Sequence, residues 1–310
     1  MQPGPNRLRV SAAGVSAIIG AAATPLQPGA TYLGRNGYVE LRAGDQPIVI
    51  TAPHGGTLLP AEIPDRTVGE TVRDANTDQL AEEVQAAFAS VNLRPHVVIV
   101  RLHRRKLDAN REIVEAAQSN PYTEIAWNEF HGFIDAAREA ARASNAPITL
   151  FDLHGHGHAI ARLELGYLLS GPQLAQSDAE LNRLTAQTSV AGLVAASGRT
   201  LAELVRGPLS LGAFFEQEGF PSVPGPTHRD PAGEPYFSGG FITELYGLRH
   251  AFRSDAVQIE AHFTGVRDTE TSRRRFARAL ATAAMRYRAH YGSGLPAREG
   301  RVTSHSAPAR

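Results

Sequence analysis

The chain contains no cysteine among its 310 residues, and charges of the two signs are equal in number. Without cysteine there is no disulfide framework, no thiol nucleophile and no Cys-ligated zinc, so any bound metal must use histidine and carboxylate. The 31 basic and 31 acidic residues argue against a nucleic-acid partner, because nucleic-acid-binding proteins normally carry a basic face. No apolar run reaches the about 20 residues that a membrane span needs. The remaining classes are globular proteins, and a hydrophobic share of 42% is enough for a large core.

The N-terminus has the order of a secretory signal. Arg7 and Arg9 precede an apolar, small-residue run over 10–23, and basic, apolar and small segments follow one another in signal peptides. The alternative is a disordered leader or a wrongly chosen start codon. We predict a leader over 1–25, a single α/β hydrolytic domain over 26–291 and a flexible tail over 292–310. A periplasmic or secreted location is slightly favoured over the cytoplasm.

Strand and helix patterns alternate along the predicted domain. Short apolar, β-branched runs predict strands, and apolar residues at i, i+3, i+4 and i+7 predict amphipathic helices, the first beginning near Asn76. The predicted strands are 46–51, 96–102, 148–153, 163–170 and 256–261, and the predicted helices are 80–88, 121–143, 177–188, 200–218 and 271–291. Such alternation indicates a mostly parallel sheet covered by helices on both faces. The Pro/Gly-rich stretch 219–240 is predicted to be a functional loop or lid.

Histidines follow two of the predicted strands, where α/β sheets bind their ligands. The first strand runs into PHGG at 53–56, and the third runs into DLHGHGH at 152–158. Asp152 and His154 stand two residues apart, on one side of a strand, and neutral imidazole is a common zinc ligand. His156 and His158 are predicted to contact substrate or to support the ligands rather than to bind metal. The alternatives are a tight turn with an exposed histidine and a mobile His/Gly loop.

Charged residues in three other segments are candidates for catalysis or binding. Glu260 lies in an apolar strand, where burial and charge would tune it as a general base; the alternative is an edge-strand glutamate that faces water. The basic segment 104–111 places a guanidinium beside an amide, and the two groups together can bind the carboxylate of a ligand. The alternative is a solvated basic loop. Asp74 and Asp78 share one side of a predicted helix start, where acids also occur simply because they favour the helix dipole.

These segments together resemble the N-formylglutamate amidohydrolase family. The resemblance runs from about residue 46 to residue 262. It rests on PHGG at 53–56, the acids of 74–78, the basic segment 104–111, DLH at 152–154, GGFIT at 239–243 and QIE at 258–260. The family is similar in fold to zinc carboxypeptidases and succinylglutamate desuccinylases. The resemblance therefore implies a three-layer α/β/α sandwich around a mixed, mostly parallel sheet, zinc carboxypeptidase-like.

The resemblance also implies roles for individual residues. Zn²⁺ would be bound by His54, His154 and an acid, for which Asp74 is preferred over Asp78. Glu260 would be the general base, and Arg104 would contact a substrate carbonyl or carboxylate. The residues implied in orienting His154 and in binding substrate are Asp152, Asn110, Arg111, Gly239 and Gly240, and His156 is predicted to join them as a substrate contact.

The expected function is a zinc-dependent amidohydrolase that acts on a small N-acyl amino acid, similar to N-formylglutamate, with a free carboxylate. A zinc carboxypeptidase or cell-wall peptide amidase is the first alternative, and a non-catalytic metal- or anion-binding protein is the second. The chain has Gly55, His103 and Ala109 where the family commonly has serine, serine and leucine. These differences leave the implied ligands intact and bear on the substrate.

Overall fold

The structure, a computed structural model, describes residues 7–9, 25–142, 144, 146–249 and 254–292. Apart from Arg7–Arg9, which forms a strand, and residue 25, the predicted leader lies outside the described residues, as does the predicted tail beyond residue 292. No observation supports a signal peptide, and the location stays a prediction. None of the described helices is long and apolar enough to cross a membrane.

A mixed sheet forms the centre of the described structure. Its nine strands are β1 (Arg7–Arg9), β2 (Thr31–Leu33), β3 (Val39–Arg42), β4 (Ile48–Ala52), β5 (His96–Val100), β6 (Ile148–His156), β7 (Leu163–Gly166), β8 (Ser222–Val223) and β9 (Ser254–His262). They lie in the order β1-β2-β3-β5-β4-β6-β9-β7-β8. The four central strands run parallel to one another, and antiparallel pairs join β3 to β5 and β7 to β9. The predicted mixed, mostly parallel sheet is confirmed.

Helices cover both faces of this sheet. They are α1 (Thr77–Ala89), α2 (Ile113–Ala117), α3 (Pro121–Arg142), α4 (Gly171–Leu174), α5 (Asp178–Asn182), α6 (Ala191–Ser197), α7 (Leu201–Arg206), α8 (Leu211–Gln217), α9 (Phe241–Glu244) and α10 (Glu270–Tyr291). Apolar side chains of α1 and α10 pack in one core with Ile50 and Phe151, while those of α3 pack in a second core with Val49 and Leu150. Because successive strand residues point to opposite faces, each central strand contributes side chains to both cores. The predicted three-layer α/β/α arrangement is confirmed.

Several predicted elements have different bounds in the structure. The helix expected over 200–218 is two helices, α7 and α8, because Ser210 accepts a hydrogen bond from the Ala213 amide and begins a new helix. The helix expected over 177–188 ends as α5 at Asn182, and a 3₁₀ turn follows. The strand expected over 163–170 ends at Gly166. Asn76 does precede α1, but its side chain donates to the Arg267 carbonyl rather than capping the helix.

The third predicted strand, β6, continues to His156 rather than ending at 153. It can do so because β9 stays in parallel register with it as far as His262, so the backbone groups of the DLHGH segment are paired. Phe151 and Leu153 point into the core beneath α1 and α10. By alternation, Asp152, His154 and His156 point to the other face, at the carboxyl end of the sheet. The alternative of a mobile His/Gly loop is therefore wrong for this segment as far as His156.

Candidate metal centre

Three side chains from different parts of the chain converge at the carboxyl end of β4 and β6. His54 follows β4, Asp74 precedes α1, and His154 lies within β6. Asp74 Oδ2 lies 3.3 Å from His54 Nδ1 and 3.2 Å from His154 Nδ1, and the two Nδ1 atoms are 3.1 Å apart. All three residues are buried. We call this group the first cluster.

Each histidine of the first cluster has a carboxylate against its Nε2 atom, on the side of the ring away from the other two residues of the cluster. His54 Nε2 lies 2.7 Å from Asp108 Oδ1, and His154 Nε2 lies 2.8 Å from Asp152 Oδ2. Thr51 in turn donates its hydroxyl to the other oxygen of Asp152 at 2.6 Å. Carboxylates in this position fix the orientation and the tautomer of histidines that bind metal.

The three converging atoms fit a divalent metal ion. Because each Nε2 faces a carboxylate, the ring proton belongs on Nε2 and the lone pair on Nδ1. When both rings are neutral, their Nδ1 lone pairs meet an oxygen of Asp74 with no hydrogen between them, so positive charge is needed there, either a metal ion or a proton on a ring nitrogen. Ligand atoms about 2.0–2.1 Å from a tetrahedral zinc ion lie roughly 3.3 Å from one another. The observed separations of 3.1–3.3 Å agree with that spacing.

The electrostatics of the first cluster also favour a cation. Burial by itself raises the pKa of Asp74, but His54 and His154 outweigh it and hold the pKa well below its ordinary value. Burial lowers the pKa of His154, and the negative charges of Asp152 and Asp74 outweigh it, so the pKa lies well above its ordinary value. Asp74 therefore stays ionised in a buried place, where positive charge is strongly attracted.

Glu260 lies beside the first cluster without belonging to it. It is the register partner of His154 in the neighbouring strand β9, so the two side chains point to the same face of the sheet. Gln258 donates its amide to Glu260 Oε1 at 2.9 Å. Burial raises the pKa of Glu260 to about 8, against the lowering effect of His154. The alternative of an edge-strand glutamate facing water is wrong, because Glu260 is buried between β6 and β7.

The loop after β5 supplies the charged residues on the other side of the first cluster. Arg104 Nε donates to Asp108 Oδ2 at 3.1 Å, and its Nη1 lies 3.4 Å from Asp74 Oδ1. Arg111 is partly exposed, with 38% of its side chain accessible, and its Nε lies 3.2 Å from Glu115. The alternative of a simple solvated basic loop does not describe this segment, because Asp108 and Asn110 within it are buried at the cluster.

Asn110 links this loop to the Pro/Gly-rich stretch. Its Oδ1 accepts the amide hydrogen of Ile242 at 2.7 Å, and its Nδ2 lies 3.4 Å from His154 Nε2. A Cβ at Gly240 would lie 2.5 Å from Asn110 Nδ2, so only glycine fits there. Gly239 has a φ of 124°, which side-chain-bearing residues rarely adopt. The two glycines therefore let the backbone approach Asn110 closely.

Two predicted residues are not brought into the first cluster. Asp78 lies in the first turn of α1, and its carboxylate is 3.5 Å from Arg101. His156 is buried in β6 two residues beyond His154, with its Nε2 against the Arg162 carbonyl at 2.8 Å. Its role as a substrate contact stays a prediction.

Sequence reasoning missed two residues near the site. Asp108 is not among the predicted site residues, yet it contacts His54 Nε2 at 2.7 Å; its position two residues before the Asn110-Arg111 pair is the signal that the sequence offers. Glu164 was not singled out, although it is the register partner of Glu260 in β7 and is fully buried. A single glutamate in a short strand gives no signal in the sequence.

No protein-family model and no curated protein matches the chain. Similar solved structures include N-formylglutamate amidohydrolase from Ralstonia eutropha JMP134, with a TM-score of 0.49 and 14% identity over 80% of this chain and 96% of that chain. A gene product of Agrobacterium tumefaciens has a TM-score of 0.48 and 12% identity, over 81% of this chain and 95% of that chain. The N-acetylmuramyl-L-alanine amidase of Mycobacterium smegmatis has a TM-score of 0.36 and 14% identity, over 77% and 95%. At this level of similarity the activity has to be inferred from the chemistry of the site itself.

Proposed function

We propose that the chain is a metal-dependent amidohydrolase, with Zn²⁺ as the expected ion, that cleaves a small N-acyl amino acid with a free carboxylate. The observation that carries this proposal is the convergence of His54, Asp74 and His154 beside the buried Glu260. A protein that only stores metal needs no buried carboxylate outside its ligand set. Amide hydrolysis needs one, because a base must take a proton from the attacking water.

The three residues of the first cluster would hold the ion and leave room for water and substrate. An ion held there would polarise the scissile carbonyl and lower the pKa of a water molecule. Glu260 accepts a proton from that water as the water oxygen bonds to the carbonyl carbon. It then donates the proton to the nitrogen as the C–N bond breaks, so the products are a carboxylic acid and an amine. Burial raises the pKa of Glu260 and so makes its carboxylate a stronger base than an exposed glutamate, while a cation held at the first cluster would favour its ionised form.

The loop after β5 would position the substrate. Arg111 stands at the exposed side of the site, and its guanidinium can pair with the substrate carboxylate in the bidentate manner that arginine favours. Asn110 is held by the Ile242 amide and keeps the neighbouring backbone in place. Arg104, beside Asp74, would stabilise negative charge that develops on the carbonyl oxygen.

A second candidate function, cleavage of a larger peptide substrate, is favoured by a cavity next to Arg104. The cavity has a volume of about 340 Å³, and its lining includes Arg73, His103 and Arg105 together with Asp65. Arg73 also donates to the Gly55 carbonyl, which ties the cavity wall to the turn that carries His54. A mostly basic cavity of this size suits an acidic residue beyond the scissile bond.

The test is amine release from N-formylglutamate, N-acetylglutamate and a peptide that ends in glutamate, before and after removal of metal by a chelator. We expect hydrolysis of at least one N-acyl amino acid, loss of activity on chelation and recovery on addition of Zn²⁺. Faster cleavage of the peptide would favour the second candidate. Metal-loaded protein that releases no amine from any of the three would overturn both.

A further inference from the structure

A second group of two histidines and one glutamate lies close to the first cluster. It consists of His156 at the end of β6, His158 in the following loop and Glu164 in β7, and we call it the second cluster. One potential ligand atom from each residue lies within 4.8 Å of the other two. Among the described residues, the first and second clusters are the two groups with this property.

The register of the sheet places the second cluster beside the first. His154 is paired with Glu260 across β6 and β9, and Glu260 is paired with Glu164 across β9 and β7. The three side chains therefore form a row on one face of the sheet. His156 points to that same face, two residues or about 7 Å further along β6. The two clusters thus occupy adjacent positions at the carboxyl ends of the parallel strands.

The ring of His156 is oriented as in a histidine that binds metal. Its Nε2 lies 2.8 Å from the Arg162 carbonyl, which can only accept, so the proton is on Nε2 and the lone pair is on Nδ1. That Nδ1 lies 3.9 Å from Glu164 Oε1. The Nδ1 lone pair also accepts the His158 amide hydrogen at 3.2 Å, which is the interaction that a metal ion would have to displace.

The other two residues direct ligand atoms to the same place. His158 Nδ1 lies 2.9 Å from Glu164 Oε1, and the remaining oxygen of Glu164 accepts the Phe237 amide hydrogen at 2.9 Å. Phe237 also stacks on the His158 ring, with the ring centroids 4.9 Å apart. Oε1 therefore accepts the ring hydrogen of His158 Nδ1, and an ion that binds both atoms would replace that hydrogen.

The charge of the second cluster is only partly balanced within the chain. Glu164 is fully buried, and a buried carboxylate requires a cation nearby. The nearest guanidinium atom, Arg162 Nε, lies 3.8 Å from Glu164 Oε1, and this Nε makes no hydrogen bond with any described residue. An ion among His156, His158 and Glu164 would sit closer to the carboxylate than Arg162 does.

We propose that His156, His158 and Glu164 bind a second divalent transition-metal ion. Two imidazoles and a carboxylate suit zinc and its first-row neighbours rather than calcium or magnesium, which prefer oxygen ligands alone. This assignment gives His156 a different role from the substrate contact that the sequence predicts. It does not depend on the proposed hydrolysis, because it concerns the number of ions bound and not the reaction.

The test counts metal ions on the full chain. Metal is removed with a chelator, the protein is titrated with Zn²⁺ alone by calorimetry, and bound zinc is measured by elemental analysis after gel filtration. We expect two equivalents for the unaltered chain and one for His154→Ala. Glu164→Gln and His158→Asn should also bind one, and combining either with His154→Ala should leave none.

The matched control is His262→Gln. The His262 ring lies 5.3 Å from the His156 ring, but each of its nitrogens faces a backbone carbonyl, so this variant should keep two equivalents. Thermal unfolding checks that each variant is folded. Saturation of the unaltered chain at one equivalent would overturn the proposal even if every variant misfolds. A second equivalent that persists in both Glu164→Gln and His158→Asn would overturn it as well, because that ion would be bound elsewhere.

Discussion

The two histidine clusters both lie at the carboxyl end of the sheet, but their charges are balanced in different ways. In the first, a carboxylate stands behind each histidine, Asp108 behind His54 and Asp152 behind His154. In the second, a neutral backbone carbonyl stands behind His156, and the single carboxylate shares its surroundings with Arg162. The histidines of the first cluster therefore have more carboxylates around them than those of the second. We expect the first to bind a divalent ion more tightly, since carboxylates behind histidines raise their affinity as ligands.

The largest effect is expected from Glu260→Gln, which removes the base and leaves the first cluster intact. Loss of a general base costs about 10²–10⁴ in rate, so kcat should fall by that factor while zinc content and thermal stability stay unchanged. Turnover numbers and elemental analysis measure the two quantities. Glu139→Gln, an exposed glutamate that pairs with Arg142, is the control. A fully active Glu260→Gln protein would refute the role of Glu260.

The next effect tests whether the carboxylates behind the histidines account for the difference between the clusters. Asp152→Asn should weaken zinc binding at the first cluster by about 10- to 100-fold, because it loses the charge that orients His154. Competition with a chromophoric chelator measures the affinity. Asp255→Asn is a matched control, since Asp255 is equally buried but lies at the opposite end of β9. If the zinc affinity of Asp152→Asn were unchanged, the carboxylate at His154 Nε2 would not explain a difference in affinity between the two clusters.

An effect of comparable size is expected at the exposed side of the first cluster. Arg111→Ala removes the proposed partner of the substrate carboxylate, and a charged hydrogen bond is worth about 1.5–3 kcal/mol, so kcat/KM should fall roughly 10- to 100-fold. Zinc content should not change, because Arg111 contacts no residue of the first cluster in the structure. Steady-state kinetics give the value, with Arg142→Ala as the control at an exposed arginine that pairs with glutamate. Equal kinetics for Arg111→Ala and the unaltered chain would remove Arg111 from the substrate site.

The smallest effect concerns a buried histidine that has no carboxylate behind it. His131 lies in α3, with its ring nitrogens against the Tyr246 hydroxyl and the Ala109 carbonyl. Burial lowers its pKa from 6.5 to about 4, the opposite of the shift at His154. The unfolded chain therefore binds a proton below about pH 6.5 that the folded chain does not bind until about pH 4, so stability falls as the pH falls through that window.

Between pH 7 and pH 5 this single group should cost about 2 kcal/mol of unfolding free energy. His131→Gln should lose less stability than the unaltered chain over the same interval, as measured by urea unfolding at the two pH values. Part of the pH dependence should remain in the variant, because burial also lowers the pKa of His96 to about 4. Identical pH dependence in both proteins would show that His131 takes up its proton at the same pH whether folded or unfolded.

The central strands and the long helices could be predicted from the sequence, because their signals are local. The apolar runs that become β4 and β5 are buried on both faces, as continuous apolar strands in parallel sheets are. The helices α3 and α10 lie within one residue of their predicted bounds. The short strands β2 and β3 could not be predicted, since their three or four residues become strands only by pairing, β3 with β5 and β2 with β3.

The candidate site was predictable in part for a similar reason. His54, His154 and Glu260 each stand at or near the end of a predicted strand. Because the carboxyl ends of parallel strands lie on the same side of an α/β sheet, these residues are expected to lie close together. Asp108 and Glu164 gave no comparable signal, because their importance depends on which residues lie opposite them. The hydrogen bond of Asp108 with His54 and the register of Glu164 with Glu260 are both long-range contacts.

The sequence by itself determined which chemical groups this protein can use. With no cysteine, any metal must be bound by imidazole and carboxylate, and the repeated histidines after Asp152 concentrate imidazole at one strand end. The tertiary structure decided which residues each of these histidines meets, because β9 holds β6 in register as far as His156 and pairs with β7, which carries Glu164. Strand pairing thus separates one histidine-rich segment into two neighbouring clusters, and a pattern of residue types cannot show that division because it contains no information about the partner strand.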